Sequence, residues 1–178
     1  MKKFLILMIA LGTAAASQAQ VFKFGIKAGP NFANFSGGIS EIDYSMRTSF
    51  HAGLAAEIGI GEKFSIAPEL LYSSQGADVD GVGDFNLDYV SVPVMARIYI
   101  IKESLSLDVG PQFSFLIDEA EESFDNETFD FAVGAGATLN LTKSLYVQGR
   151  YTWGLTEASR TAEVKNTVLQ LSVGYNFL

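Results

Sequence analysis

The residues that could do chemistry are few. The chain holds one histidine, His51, and no cysteine, which excludes thiol catalysis, disulfides and Cys-based metal sites. A hydrolytic site built on His51 needs a serine within hydrogen-bond reach and an acid to orient the ring. Ser73 and Glu69 share its parity on the neighbouring expected strand, but no nucleophile-elbow motif accompanies them. The reading is a satisfied interior histidine, no catalytic set and no enzyme; a lipid-modifying enzyme using His51 is the second alternative.

Two acidic stretches come next. Asp78, Asp80, Asp84, Asn86 and Asp88 place oxygen donors at mostly two-residue spacing among Gly81 and Gly83. Such spacing can wrap Ca²⁺, although the bidentate Glu and flanking helices of an EF-hand are missing. The first reading is a solvated acidic hairpin loop, with a weak calcium loop as the alternative and no other metal site. The run Asp118, Glu119, Glu121, Glu122, Asp125 and Glu127 reads as a second solvated loop. A third set is dispersed: Lys27, Glu57, Glu69, Arg97, Asp108 and Arg150 all fall on the same face of an alternating chain. Charges gathered in a narrow interior must pair or keep water. The expectation is an interior charge network; a proton or small-ion path is the functional alternative.

The elements that must hold these residues follow from patterning. Lys2 and Lys3 precede the apolar run Phe4–Ala16 and the small residues Ser17 and Ala19, which reads as a signal peptide over 1–19 with the mature domain over 20–178. That run is shorter than the about 20 residues a spanning helix needs. Losing Lys2 and Lys3 takes the net charge from −8 to −10. An acidic chain with 14 Phe and 7 Tyr is neither a basic nucleic-acid binder nor a disordered segment.

Beyond residue 20 the period is two. Phe50, Ala52, Leu54, Ala56, Ile58 and Ile60 alternate with Ser49, His51, Gly53, Ala55, Glu57 and Gly59. Eight strands are expected at 21–33, 47–60, 64–75, 86–101, 104–117, 128–141, 144–156 and 166–178. Tight turns at 61–63, 102–103 and 142–143 alternate with longer polar connections at 34–46, 76–85, 118–127 and 157–165. Short and long connections in strict alternation describe an up-and-down barrel.

Polarity decides which barrel. The polar face carries Gly25, Gly29, Gly53, Gly110, Gly134, Gly136 and Gly174 beside Lys23 and the six charges above. The other face is Phe, Leu, Val, Ile and Ala, and it takes the aromatics Phe22, Phe50, Phe113, Tyr151, Trp153 and Tyr175. A surface that apolar would aggregate in water. Lipid is the consistent solvent, so the fold class is all-β: an eight-stranded antiparallel transmembrane barrel.

Several runs resemble the PorT-like, porin-family outer-membrane β-barrel proteins abundant in the Bacteroidota. They are Gly25-Ile26-Lys27-Ala28-Gly29-Pro30-Asn31, His51-Ala52-Gly53, Pro68-Glu69-Leu70-Leu71-Tyr72-Ser73-Ser74-Gln75-Gly76, Tyr89-Val90-Ser91-Val92-Pro93, Arg150-Tyr151-Thr152-Trp153-Gly154-Leu155 and Gly174-Tyr175-Asn176-Phe177. The resemblance implies an outer-membrane location and an eight-stranded barrel, and little about activity. The expected role is structural, or the binding of surface ligands and partners, through a plugged lumen and acidic extracellular loops. A narrow channel is the alternative. Both mature termini are expected in the periplasm. The expected partners are outer-membrane lipid and lipopolysaccharide, the outer-membrane assembly machinery and an extracellular or periplasmic protein, with no nucleic acid and no cofactor.

Overall fold

The computed structural model describes residues 22–37, 44–45, 47–79, 83–119, 129–155 and 164–177. The leader expected over 1–19, Asp80, and Glu121, Glu122, Asp125 and Glu127 lie outside them. The strands are β1 (Phe22–Gly37), β2 (Tyr44–Ser45), β3 (Arg47–Gly59), β4 (Phe64–Val79), β5 (Gly83–Ile101), β6 (Leu105–Glu119), β7 (Phe129–Asn140), β8 (Leu145–Gly154) and β9 (Val164–Asn176).

All pairings are antiparallel, and the order β4-β3-β1-β9-β8-β7-β6-β5 closes through a β4–β5 pairing. The short β2 pairs with β4 through Tyr44↔Val79 and Ser45↔Asp78, one residue upstream of β3 and beside the same partner strand. The result is a closed eight-stranded barrel, in which no strand edge is left open.

Alternation sets the two faces. Phe50, Ile100, Val173 and Phe177 are more than half exposed, whereas Lys27, Asp108 and Arg150 are at most 2% exposed. The polarity is therefore inverted relative to a barrel in water: ionised side chains fill the centre and apolar ones cover the outside. Outward rings pair across strands, as in Phe113–Phe131 at 5.4 Å and Phe115–Phe129 at 5.5 Å between centroids.

The short connections fall where the sequence puts them. At the first, Gly61 has φ of 101°, a left-handed geometry that costs glycine nothing. At the second, Glu103 takes φ of 59° and Ser104 N donates to Ile101 O at 3.0 Å. At the third, Thr142 Oγ1 accepts from Leu145 N at 2.9 Å, closing the turn with a side chain.

At the opposite end the strands run further than the patterning predicts. β1 continues to Gly37, β6 to Glu119, and β9 begins at Val164. The largest correction concerns 76–85, expected as a loop. There β4 extends to Val79 and β5 starts at Gly83, paired without interruption through Gly76↔Asn86 and Asp78↔Asp84. Oxygen-bearing side chains at mostly two-residue spacing suit loop ligands, and such spacing also suits a strand. Regular pairing then supplies the hydrogen bonds that a loop would have to find elsewhere. A bulge at Asp88/Tyr89 realigns β5 on β6 above the barrel body.

Candidate functional site

The lumen is where polar chemistry concentrates. Eight narrow strands leave an interior that side chains can fill, provided large residues sit beside small ones. Lys27 lies opposite Gly53 on β3 and Gly174 on β9. Gly136 stands between Asp108 and Arg150, and Gly29 stands opposite His51. A side chain at Gly29 or Gly53 would meet a backbone carbonyl of the adjoining strand, Leu171 or Leu70. At Gly174 it would fall on the ring of Tyr146, its cross-strand partner. The glycines thus provide both close strand approach and room for their neighbours.

The six charges proposed from parity meet in one connected network. Arg97 binds Asp108 with two bonds, Nε to Oδ1 at 2.9 Å and Nη2 to Oδ2 at 3.2 Å, and reaches Glu57 Oε2 through Nη1 at 2.8 Å. Arg150 binds both oxygens of Glu69, at 2.9 and 2.6 Å. Lys27 Nζ donates to Glu69 Oε2 at 2.8 Å. Two-pronged guanidinium–carboxylate pairs are the strongest form of this contact and fix orientation as well as distance.

Gln148 joins the two halves. Its Nε2 donates to Asp108 Oδ2 at 2.8 Å, and its Oε1 accepts from Lys27 Nζ at 2.7 Å. Thr138 donates to Asp108 Oδ2 at 2.6 Å, while Tyr99 and Ser65 donate to Glu57 Oε1 at 2.6 and 2.9 Å. Side chains from β1, β3, β4, β5, β6, β7 and β8 therefore meet inside one cross-section. Gln148, Thr138, Tyr99 and Ser65 escaped the sequence reading because it followed charge; applying the same parity to uncharged polar residues finds them. Asp130, a charged residue of the same parity on β7, is buried as well.

Beyond this network lies a neutral tier. His51 Nδ1 lies 2.7 Å from Asn31 Oδ1, and His51 Nε2 lies 2.8 Å from Ser172 Oγ. An amide oxygen only accepts, so Nδ1 carries the hydrogen and the neutral ring accepts from Ser172 at Nε2. Asn31 is held in turn through Nδ2, which donates to Phe50 O, Ser73 Oγ and Ser74 O. The pairing of His51 with Ser73 and Glu69 is corrected: Glu69 is bound to Arg150 and Lys27, and the serine on His51 is Ser172 from β9. Serine, imidazole and amide are in the order of a nucleophile, base and orienting group. All three residues are buried, His51 and Asn31 fully, so this order serves as an interior brace.

The residues weighed for calcium divide. Backbone pairing sets Asp78 opposite Asp84, Asn86 opposite Gly76 and Asp88 opposite both Ser74 and Asp118. Asp88 Oδ2 accepts from Tyr72 Oη at 2.7 Å. Among the described residues no group of three or more His, Asp or Glu is placed to hold a metal ion.

A cavity opens at the short-turn end. It measures about 670 Å³ and is lined by Phe22, Lys23, Glu57, Tyr99, Lys102 and Lys143, among others.

A closed barrel with a charged centre and an apolar outer belt is a membrane barrel. The chain belongs to the family of outer membrane protein beta-barrel domains, whose model matches residues 17–160. None of the curated proteins matches it. Among solved structures it resembles Ail, the attachment invasion locus protein of Yersinia pestis, crystallised with the heparin analogue sucrose octasulfate. The TM-score is 0.56 at 16% identity, over 88% of this chain and 99% of Ail. OprG of Pseudomonas aeruginosa gives 0.56 at 12% identity, over 89% and 97%. Neisserial surface protein A gives 0.56 at 18% identity, over 86% and 97%. At these identities the likeness is one of fold. The protein is a small bacterial outer-membrane barrel.

Proposed function

We propose that this protein is a sealed outer-membrane barrel that presents acidic loops at the cell surface, serving a structural or binding role rather than transport or catalysis. The observation that carries the reading is the network around Gln148, which ties seven strands across the lumen. A wall braced in this way suits a scaffold, and exposed connections on a rigid scaffold commonly carry binding. On this reading the leader over 1–19 is removed on export. The short turns and both ends of the mature chain face the periplasm, and the 38–43, 80–82, 120–128 and 156–163 connections face outward. The PorT-like, Bacteroidota-type resemblance belongs to the same proposal.

Charge narrows the partner. Ail was solved with a polyanion. Here the outward segments carry Glu41, Asp43, Asp78, Asp80, Asp84, Asp88 and the 118–127 run. A basic protein surface, or lipopolysaccharide phosphates bridged by divalent cations, complements them better than a polyanion does. Backbone register sets Asp78 opposite Asp84 and Asp88 opposite Asp118, and weak Ca²⁺ binding at this hairpin belongs to the same proposal. The test is whole-cell binding of cationic and lipopolysaccharide probes, with and without chelator, using wild type and a variant shortened at 120–128. Equal binding by both proteins under all conditions overturns the proposal.

A further inference from the structure

We propose that the cavity at the short-turn end is a binding site for a peptide carboxylate, with Lys23 as its anchoring cation. The argument rests on the reading above that this end faces the periplasm.

Lys23 and Lys27 point into the lumen from the same face of β1, four residues apart, and they differ sharply. Lys27 is held by Glu69 and Gln148 at 2.8 and 2.7 Å, with a side chain that is 0% exposed. Lys23 makes one long bond to Tyr99 Oη at 3.5 Å and stands 3.7 Å from Glu57 Oε2. Glu57 is shared: Ser65 and Tyr99 donate to its Oε1, Arg97 holds its Oε2 at 2.8 Å, and Lys23 pairs with it only at the longer distance. The Lys23 side chain is 18% exposed and lines the 670 Å³ cavity. An ammonium carries three donors. Beyond its long contacts with Tyr99 and Glu57, Lys23 has donor capacity left for the cavity, a space of the size that takes small ligands.

The rim sets the ligand class. Lys102 and Lys143 come from two different turns and, among the described residues, neither is ion-paired. Glu62 and Glu103 line the same rim. A bare phosphate would gain from the lysines but offer these two carboxylates no chain of N–H donors. A peptide end fits both signs: its carboxylate reaches Lys23, and its backbone N–H groups meet the rim carboxylates. Phe22 and the Tyr99 ring offer apolar wall, and Asn140 and Thr142 add polar groups. Capture of a chain terminus by a small set of fixed donors is an established recognition mode.

The test uses the full barrel in phospholipid nanodiscs, titrated calorimetrically with an uncharged-side-chain tetrapeptide as its free acid and as its C-terminal amide. The expected result is saturable binding of the acid only. Lys23→Gln should weaken it about tenfold or more, the loss of a charge-assisted bond. Lys143→Gln, on an exposed turn where folding is not at stake, should weaken it several-fold, and Lys63→Gln, outside the cavity lining, should change nothing. Equal binding of acid and amide, binding unaffected by both Lys23→Gln and Lys143→Gln, or equally strong displacement by inorganic phosphate overturns the proposal. A Thr142→Cys variant separates this from the orientation. Labelling in intact cells refutes the periplasmic placement, whereas labelling only after permeabilisation with no peptide binding refutes the site alone.

Discussion

The middle of the lumen and its short-turn end use the same residue types to opposite effect. In the middle, Lys27, Arg150 and Glu69 spend their bonds on one another and on Gln148. At the end, Lys23 stands 3.7 Å from Glu57, a carboxylate that Arg97 holds at 2.8 Å, next to open space. The difference comes from competition rather than distance along the chain. Arg97 offers a planar fork that holds Asp108 and Glu57 together, and a flexible lysine cannot displace it. The buried ions of the middle are paired with one another, and among the described residues Arg150 Nε is left without a partner. The end leaves a cation with only long contacts beside open space.

Four substitutions probe this contrast. Glu69→Leu should be the most damaging, because it leaves Lys27 and Arg150 buried without their anion. Breaking such a pair costs about 3–5 kcal/mol, readable as a lower urea midpoint for the heat-modifiable folded band. Replacing Lys27, Glu69 and Arg150 together by Met, Leu and Met should recover most of that loss, since well-packed apolar substitutes are often neutral. A triple variant as unstable as Glu69→Leu would place the damage in packing instead.

Gly174→Ala should follow, at about 1–3 kcal/mol for overpacking, because its methyl group would fall on the Tyr146 ring. Tyr146→Ala in the same chain should relieve that clash, and strictly additive losses would refute the large-beside-small account. His51→Ala should cost about 1–3 kcal/mol by leaving Asn31 and Ser172 short of a partner. It should leave surface presentation unchanged. Lys23→Gln should be mildest, below about 1 kcal/mol as for a weak, partly exposed pair. If its urea midpoint falls as far as that of Glu69→Leu, the contrast between middle and end is lost.

Much of this arrangement is legible in the sequence, for a physical reason. A barrel wall has only two faces, so parity alone puts Lys27, Glu57, Glu69, Arg97, Asp108 and Arg150 into one space. Tight turns are legible as well, since Gly61 and Thr142 carry local geometry. Partner choice across the lumen is not. His51 stands directly opposite Ser73, yet its ring reaches Ser172 past Gly29, whose missing side chain clears the way. That contact joins β3 to β9 across a seam formed only when the chain closes. The outer hairpin of β4 and β5 escaped for another reason: alternating carboxylates are compatible with a ligand loop and with a strand, and only the pairing partner distinguishes them.

The sealed middle is the central claim, and single-channel recording tests it most directly. Wild-type protein reconstituted into planar bilayers should give no discrete conductance in symmetrical salt. The Lys27, Glu69 and Arg150 to Ala triple variant, its side chains removed and no apolar filling supplied, should open a measurable water path. Reproducible unitary conductance from the folded wild-type barrel would contradict the account.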